Sequence, residues 1–168
     1  MVTLEEIGTK YPINIGTPEP KILCNDINLI LLFYIDLLDL PKITNKIKQR
    51  AGESDTGIAI MKFKKNYIYK YGVPNDEVLD GHPYYKLGLE HYSFFKVNDS
   101  DWIKEIKRIE SHHPYSDENS FDDLNHYIIT FKDNTFECVA EDYNVEYSID
   151  TMEEALKKEF SSFLINSF

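Results

Sequence analysis

His126-Tyr127-Ile128-Ile129-Thr130-Phe131-Lys132-Asp133-Asn134-Thr135-Phe136-Glu137-Cys138-Val139-Ala140-Glu141 is the stretch on which the fold turns. Two β-rich runs flank Asp133-Asn134, a pair that accepts the positive φ of a tight two-residue turn. That turn sets Phe131 opposite Phe136, Ile129 opposite Cys138 and Tyr127 opposite Ala140, an apolar face suited to a core. The other face pairs Lys132 with Thr135, Thr130 with Glu137, Ile128 with Val139 and His126 with Glu141. A slip of one residue would exchange the faces, so the alternation argues for an antiparallel hairpin with one side buried.

The same signals recur upstream. Ile58–Phe63 and Tyr67–Tyr71 flank Lys65-Asn66 and read as a second hairpin. Residues 21–35 read as a third, its two runs meeting at Asn25-Asp26, although the apolar run Leu29–Ile35 also suits a buried helix. His91–Val97 alternates as a half-buried strand, and Val145–Ser148 adds a short one. Between them, Trp102, Ile103, Ile106 and Ile109 form a helical stripe over Ser100–Ser111. Asn98, Asp99 or Ser100 caps its start, and Pro114 stops it. The C-terminal residues 151–168 read as a helix with Asp150 or Thr151 as cap, Glu153 or Glu154 completing the box, and Ala155, Leu156, Phe160, Phe163 and Leu164 as its stripe. Residues 1–19 read as an irregular lead-in with at most a turn of helix at Thr3–Ile7. Residues 36–56 form a connection with a short helix near Thr44–Arg50, and Gly72–Gly88 a long loop. The expectation is one α+β domain over residues 1–168: a curved, mainly antiparallel sheet of about six or seven strands with one central and one C-terminal helix.

Composition narrows the function classes. The chain has 168 residues with 18 Lys+Arg against 29 Asp+Glu, a formal charge of -11. Such acidity argues against a nucleic-acid partner, which needs a basic face to displace counterions. An apolar fraction of 42% with 14% aromatics describes a packed core rather than a disordered chain. The N-terminus lacks the basic and apolar regions of a secretory signal, and no apolar run approaches the length of a membrane span. A cytoplasmic protein without membrane association is the expectation. Cys24 and Cys138 form no CxxC pair and read as two buried thiols.

Pro74-Asn75-Asp76-Glu77, Gly81-His82-Pro83, Gly88-Leu89, Asn98-Asp99-Ser100-Asp101-Trp102-Ile103, His113-Pro114, His126–Phe131 and Thr135–Ala140 run in order along the chain. This set resembles a family of small bacterial proteins that carry motifs of this kind and to which no activity is attached. The resemblance extends back to Pro20–Tyr34. One departure is Lys132, where the resemblance implies a second histidine between Phe131 and Asp133. An imidazole is thereby removed from the hairpin tip.

Candidate site residues follow from chemistry. Imidazole is a metal ligand and a base near neutral pH. No pair among His82, His91, His112, His113 and His126 has the spacing of a helical or strand metal motif, so no metal and no cofactor is expected. Any catalytic cluster would be assembled from distant elements, with His82, His126, Glu137 and Glu141 as its candidates. Asp76, Glu77, Asp80, His82, Tyr84 and Thr130 are the candidate binding residues, because an ordered loop this long in a small domain is often functional. Cys138 lies on the core face and makes a poor nucleophile. No glycine-rich phosphate loop is present. Tyr67, Tyr69 and Tyr71 share a strand that packs in the sheet or meets a protein partner. Two functions remain. One is a non-enzymatic, immunity-like module whose acidic face binds a basic protein; the other is a metal-assisted or acid–base hydrolase. Self-association is compatible with either.

Overall fold

The computed structural model describes residues 1–7, 12–26, 28–37, 56–115 and 118–165, with the backbone alone at 118–119 and 163–165. Nine strands are described: β1 (Thr3–Glu6), β2 (Lys21–Cys24), β3 (Leu29–Asp36), β4 (Thr56–Lys64), β5 (Ile68–Gly72), β6 (Phe94–Asn98), β7 (Asn125–Thr130), β8 (Thr135–Ala140) and β9 (Asp142–Ser148). Two longer helices are α1 (Asp101–Glu110) and α2 (Met152–Ile165). Short 3-10 turns span Asp76–Gly81, Tyr85–Leu87 and Glu118–Phe121. The class is α+β, as the sequence implied. The strands, however, form two antiparallel sheets rather than one curved sheet: β1-β6-β7-β8-β5 and β2-β3-β4-β9.

The two sheets pack face to face. Leu29, Leu31, Phe33, Ile35, Ala59, Met61 and Phe63 from the four-stranded sheet meet Phe94, Tyr127, Ile129, Phe131, Phe136, Cys138 and Ala140 from the five-stranded sheet. Ring contacts bridge them: Phe33 to Phe131 at 5.2 Å, Phe63 to Tyr127 at 5.9 Å and Phe63 to Phe136 at 5.5 Å. The outer face of the four-stranded sheet is also apolar. Ile30, Leu32, Ile58 and Ile60 are covered by Met152 and Ala155 of α2. Burial of β3 on both faces explains its unbroken apolar run, which alternation alone could not assign to strand or helix. The hairpin reading of 21–35 is borne out, with Lys21 opposite Leu32 and Cys24 opposite Leu29.

Several expectations are corrected. Thr3–Glu6, expected within an irregular lead-in at 1–19, is an edge strand paired with β6. Ile58–Phe63 and Tyr67–Tyr71 are not a hairpin: β4 lies between β3 and β9, whereas β5 pairs with β8 in the other sheet. The chain crosses between sheets at Lys65, whose φ of 46° turns the backbone before Tyr67 N–H bonds Val139 O at 2.8 Å. In the main hairpin the register sits two residues from the expected one. Thr130 opposes Thr135, His126 opposes Val139 and Ile128 opposes Glu137, with Phe131–Asn134 as a four-residue loop. A shift of two preserves the faces, so the core side is as expected while the partners change.

Both helices start as their caps imply. Ser100 Oγ accepts from Ile103 N–H, and Thr151 and Glu154 form a reciprocal capping box. The stripe of α2 is modified: Phe160 is exposed, and the buried position is Glu159, ion-paired with Lys62 at 3.1 Å. Cys24 is exposed, not buried, whereas Cys138 is buried and its thiol is pushed well up by desolvation. The expected helix near Thr44–Arg50 lies outside the described residues.

Candidate functional site

The outer face of the five-stranded sheet is apolar at its margins and polar at its centre. Phe95, Val97 and Ile128 pack against Leu79 and Leu89 from the loop after β5. Val139 packs with Ile106 of α1 and Phe121. Between these patches stand His126 and Glu137. They are on adjacent strands and one step diagonal from each other, because His126 is opposite Val139. Diagonal neighbours on one face are within reach of long side chains.

The loop 73–89 folds over this face. Asp76 N–H bonds Lys132 O at 2.8 Å, and Thr135 Oγ1 donates to Pro74 O at 2.9 Å. The fold-over brings His82 above Glu137. Glu137 Oε2 lies 2.9 Å from His126 Nε2, and Glu137 Oε1 lies 3.6 Å from His82 Nε2. On the far side of His126, Nδ1 meets Ser100 Oγ at 2.9 Å. Ser100, His126 and Glu137 thus form one chain linking the start of α1 to β7 and β8, with His82 joining from the loop.

The proton positions follow from the partners. Tyr84 N–H donates to His82 Nδ1 at 3.2 Å, so the proton of His82 sits on Nε2 and points at the carboxylate. The carboxylate of Glu137, held ionised, can only accept, which puts a proton on the His126 Nε2 that faces it. His126 then donates through Nε2. His126 is the hydrogen-bond donor to Glu137, and His82 faces the other carboxylate oxygen at 3.6 Å, an electrostatic contact.

Aromatic rings enclose the cluster. Trp102 meets His126 edge-on at 5.1 Å and Tyr84 does so at 6.0 Å. Lys70 Nζ lies 3.7 Å from the centre of the Trp102 ring, which brings a positive charge toward the same face. Burial alone would raise the pKa of Glu137. The hydrogen bonds from His126 and, at longer range, His82 outweigh it, with the positive charge of Lys70 helping, and hold the carboxyl at about 2. Burial and the negative charges of Glu137 and Asp101 push the Tyr84 phenol up.

The candidate residues divide into three groups. His82, His126, Glu137 and Tyr84 are brought together. Glu141 is not: it pairs with Lys65 where the chain crosses between sheets. Asp76 holds Tyr92 Oη at 2.7 Å, while Thr130 fixes the approach to β6 by donating to Glu90 O at 2.8 Å. Glu77 and Asp80 are exposed. Ser100, Trp102 and Lys70 were missed as members of the site. Ser100 carried only the signal of a helix cap, and Trp102 that of a helical stripe.

No group of three or more metal-ligating side chains is poised around one point among the described residues. The cluster is also closed, with His126 at 0% and His82 at 7% exposure. Its chemistry is that of a buried fastener. Replacement of Ser100 by alanine removes both the cap and the donor to His126, and about 1–2 kcal/mol of stability is expected to be lost in urea unfolding. Ser100→Thr, which keeps the hydroxyl, is expected to recover most of it.

Above the fastener lies an acidic layer. The residues of 75–123 whose side chains are described, which supply the covering loop, β6 and α1, carry 10 Asp+Glu against 5 Lys+Arg. The lysines of α1 are engaged, Lys104 with Asp99 at 2.8 Å and Lys107 with Asp122 at 2.9 Å. Glu77, Asp80, Glu90 and Glu105 make no ion pair among the described residues. Val78, Tyr85, Leu87 and Ile109 are exposed in the same layer. No helix among the described residues is long and apolar enough to cross a membrane. Comparisons of the chain with family models, with curated proteins and with solved structures found no match.

Proposed function

We propose that the chain is a non-enzymatic protein-binding module whose acidic layer over the five-stranded sheet docks a basic protein. The observation that carries this reading is the uneven placement of charge. The residues of 75–123 whose side chains are described hold 10 carboxylates against 5 cationic residues, a twofold excess, where the whole chain has 29 against 18. Free carboxylates beside exposed apolar side chains suit an interface in which charge steers the encounter and apolar contact holds it. The buried Ser100–His126–Glu137 chain fits the same purpose. It pins the loop and the helix start to the sheet, so the layer is ordered before a partner arrives and little ordering cost remains on binding. The acid–base hydrolase reading has the convergence of His82, His126 and Glu137 in its favour, but both imidazoles are buried, and only Glu137, at 14% side-chain exposure, and Tyr84 reach toward solvent.

Decalysine serves as the probe in a calorimetric titration at low salt. Two triple variants change net charge equally: Glu77, Asp80 and Glu90 to lysine in the layer, or Glu19, Asp26 and Glu153 to lysine elsewhere. The layer variant is expected to lose roughly tenfold in affinity and much of its salt dependence, and the control only a small part of that. Equal losses in the two variants would mean that net charge, not the layer, governs binding.

A further inference from the structure

Lys70 places its ammonium on an aromatic face and not against a carboxylate oxygen. It is exposed on β5, and its Nζ stands 3.7 Å from the centre of the Trp102 ring. It makes no hydrogen bond or ion pair among the described residues. Trp102 is half-buried in the first turn of α1. Glu137 stands directly opposite Lys70 in the β5–β8 register, so the two side chains share the outer face of the sheet. The Glu137 side chain is 14% exposed, and its carboxyl is held ionised. Glu105 is three residues along α1 from Trp102, a neighbour on the helix surface, and makes no ion pair among the described residues. An aromatic face with carboxylates beside it is the chemistry that receives an ammonium, and here the chain's own ammonium already rests on it.

We propose that the Trp102 face beside Glu137 is the subsite of the acidic layer that takes a lysine ammonium of the basic partner, and that Lys70 holds its place until the partner displaces it. The proposal rests on the docking reading above and names one anchor for it. Displacement follows from solvation. A cation over an exposed ring gains little, and gains about twice as much or more once the contact is desolvated. Lys70 reaches the ring through solvent on a long side chain whose freedom is lost while it stays there. A partner's lysine arrives beneath a surface that excludes water from the ring, and Lys70 returns to water. The subsite suits lysine better than arginine. Glu137 Oε2 is engaged by His126 and Oε1 faces His82, so the carboxylate offers its charge but no free pair of oxygens for a guanidinium fork.

Two probes test this on the full chain, n-butylammonium chloride for the subsite alone and decalysine for the subsite within the layer. Trp102 is the one tryptophan of the chain, so its emission reports on the ring directly. Lys70→Met keeps a side chain over the ring and removes the ammonium, whereas Lys86→Met removes an equal charge from the covering loop. Both lysines are exposed, and circular dichroism checks that both variants are folded. Against sodium chloride at equal concentration, n-butylammonium is expected to change Trp102 emission saturably in Lys70→Met, with a midpoint roughly tenfold below that of the native chain and of Lys86→Met. In calorimetry, Lys70→Met is expected to bind decalysine roughly tenfold more tightly than the native chain, and Lys86→Met about twofold. A Lys70→Met variant that gains no more than Lys86→Met with either probe overturns the subsite; a layer variant that still loses decalysine would then leave the docking reading standing without it. A saturable n-butylammonium response in Lys70→Met, with equal decalysine losses in the two triple variants, would support the ammonium subsite and remove the docking reading.

Discussion

Replacing Glu137 by alanine is expected to cost about 3 kcal/mol in urea unfolding at pH 7, because it leaves the buried His126 Nε2–H without its acceptor and His82 without the charge it faces. The loss has a pH signature. Glu137 has a folded-state pKa of about 2 against an ordinary 4.5, a depressed value. The stability it contributes is therefore present above pH 4.5 and lost as pH falls toward 2. By linkage that contribution is about 3 kcal/mol in full, of which roughly 2 kcal/mol is gone at pH 3. The gap between the native chain and Glu137→Ala is thus expected to narrow from about 3 kcal/mol at pH 7 to about 1 kcal/mol at pH 3. Other carboxylates titrate alike in both proteins and cancel. A gap independent of pH would show that the side chain acts by packing and not as a held carboxylate.

Phe136→Ala is expected to be as damaging or more, at about 3–5 kcal/mol. Phe136 is fully buried and joins three strands through its ring. It meets Phe63 of the opposite sheet at 5.5 Å and stacks with Tyr69 of β5 at 6.4 Å. Its removal opens a void between the sheets that neither partner fills, since the backbone of each is fixed by strands on both sides or by β8. Unlike Glu137→Ala, this loss is expected to be independent of pH between 3 and 7, so the pair of variants separates packing from electrostatics. A cost below about 1 kcal/mol would mean that the sheets do not pack through this ring.

The side of each strand that enters the core was legible, because alternation survives any even shift of register. The register itself was not. A two-residue turn at Asp133-Asn134 and a four-residue loop at Phe131–Asn134 put the same residues on the same face. Only the second makes Glu137 diagonal to His126 and so creates the site. The crossing between β4 and β5 was hidden for a related reason. Lys65-Asn66 has the local chemistry of a hairpin turn, and nothing within ten residues of it reports that Ile68 will find Val139 instead of β4. β1 gave no signal because a four-residue edge strand with two glutamates has no apolar alternation to read.

The histidines show where reasoning from residue types reaches its limit. His82 and His126 were named as candidates on chemistry alone, together with Glu137, and the fold does bring the three together. Glu141 was named because the expected register set it opposite His126, and it falls away with that register. What decides the role of the cluster is hydrogen bonding that no sequence pattern encodes. The Tyr84 amide turns the His82 Nε2 toward Glu137, and the Ser100–His126–Glu137 chain ties the helix start to two strands, which makes the group a fastener.

The acidic layer as a docking surface is tested most directly by amide hydrogen exchange of the full chain with and without decalysine. Added protection is expected within residues 76–110, at the covering loop and α1, with β2, β3 and α2 unchanged. Protection gained on the four-stranded sheet or α2 instead, or spread evenly over the chain, would contradict it.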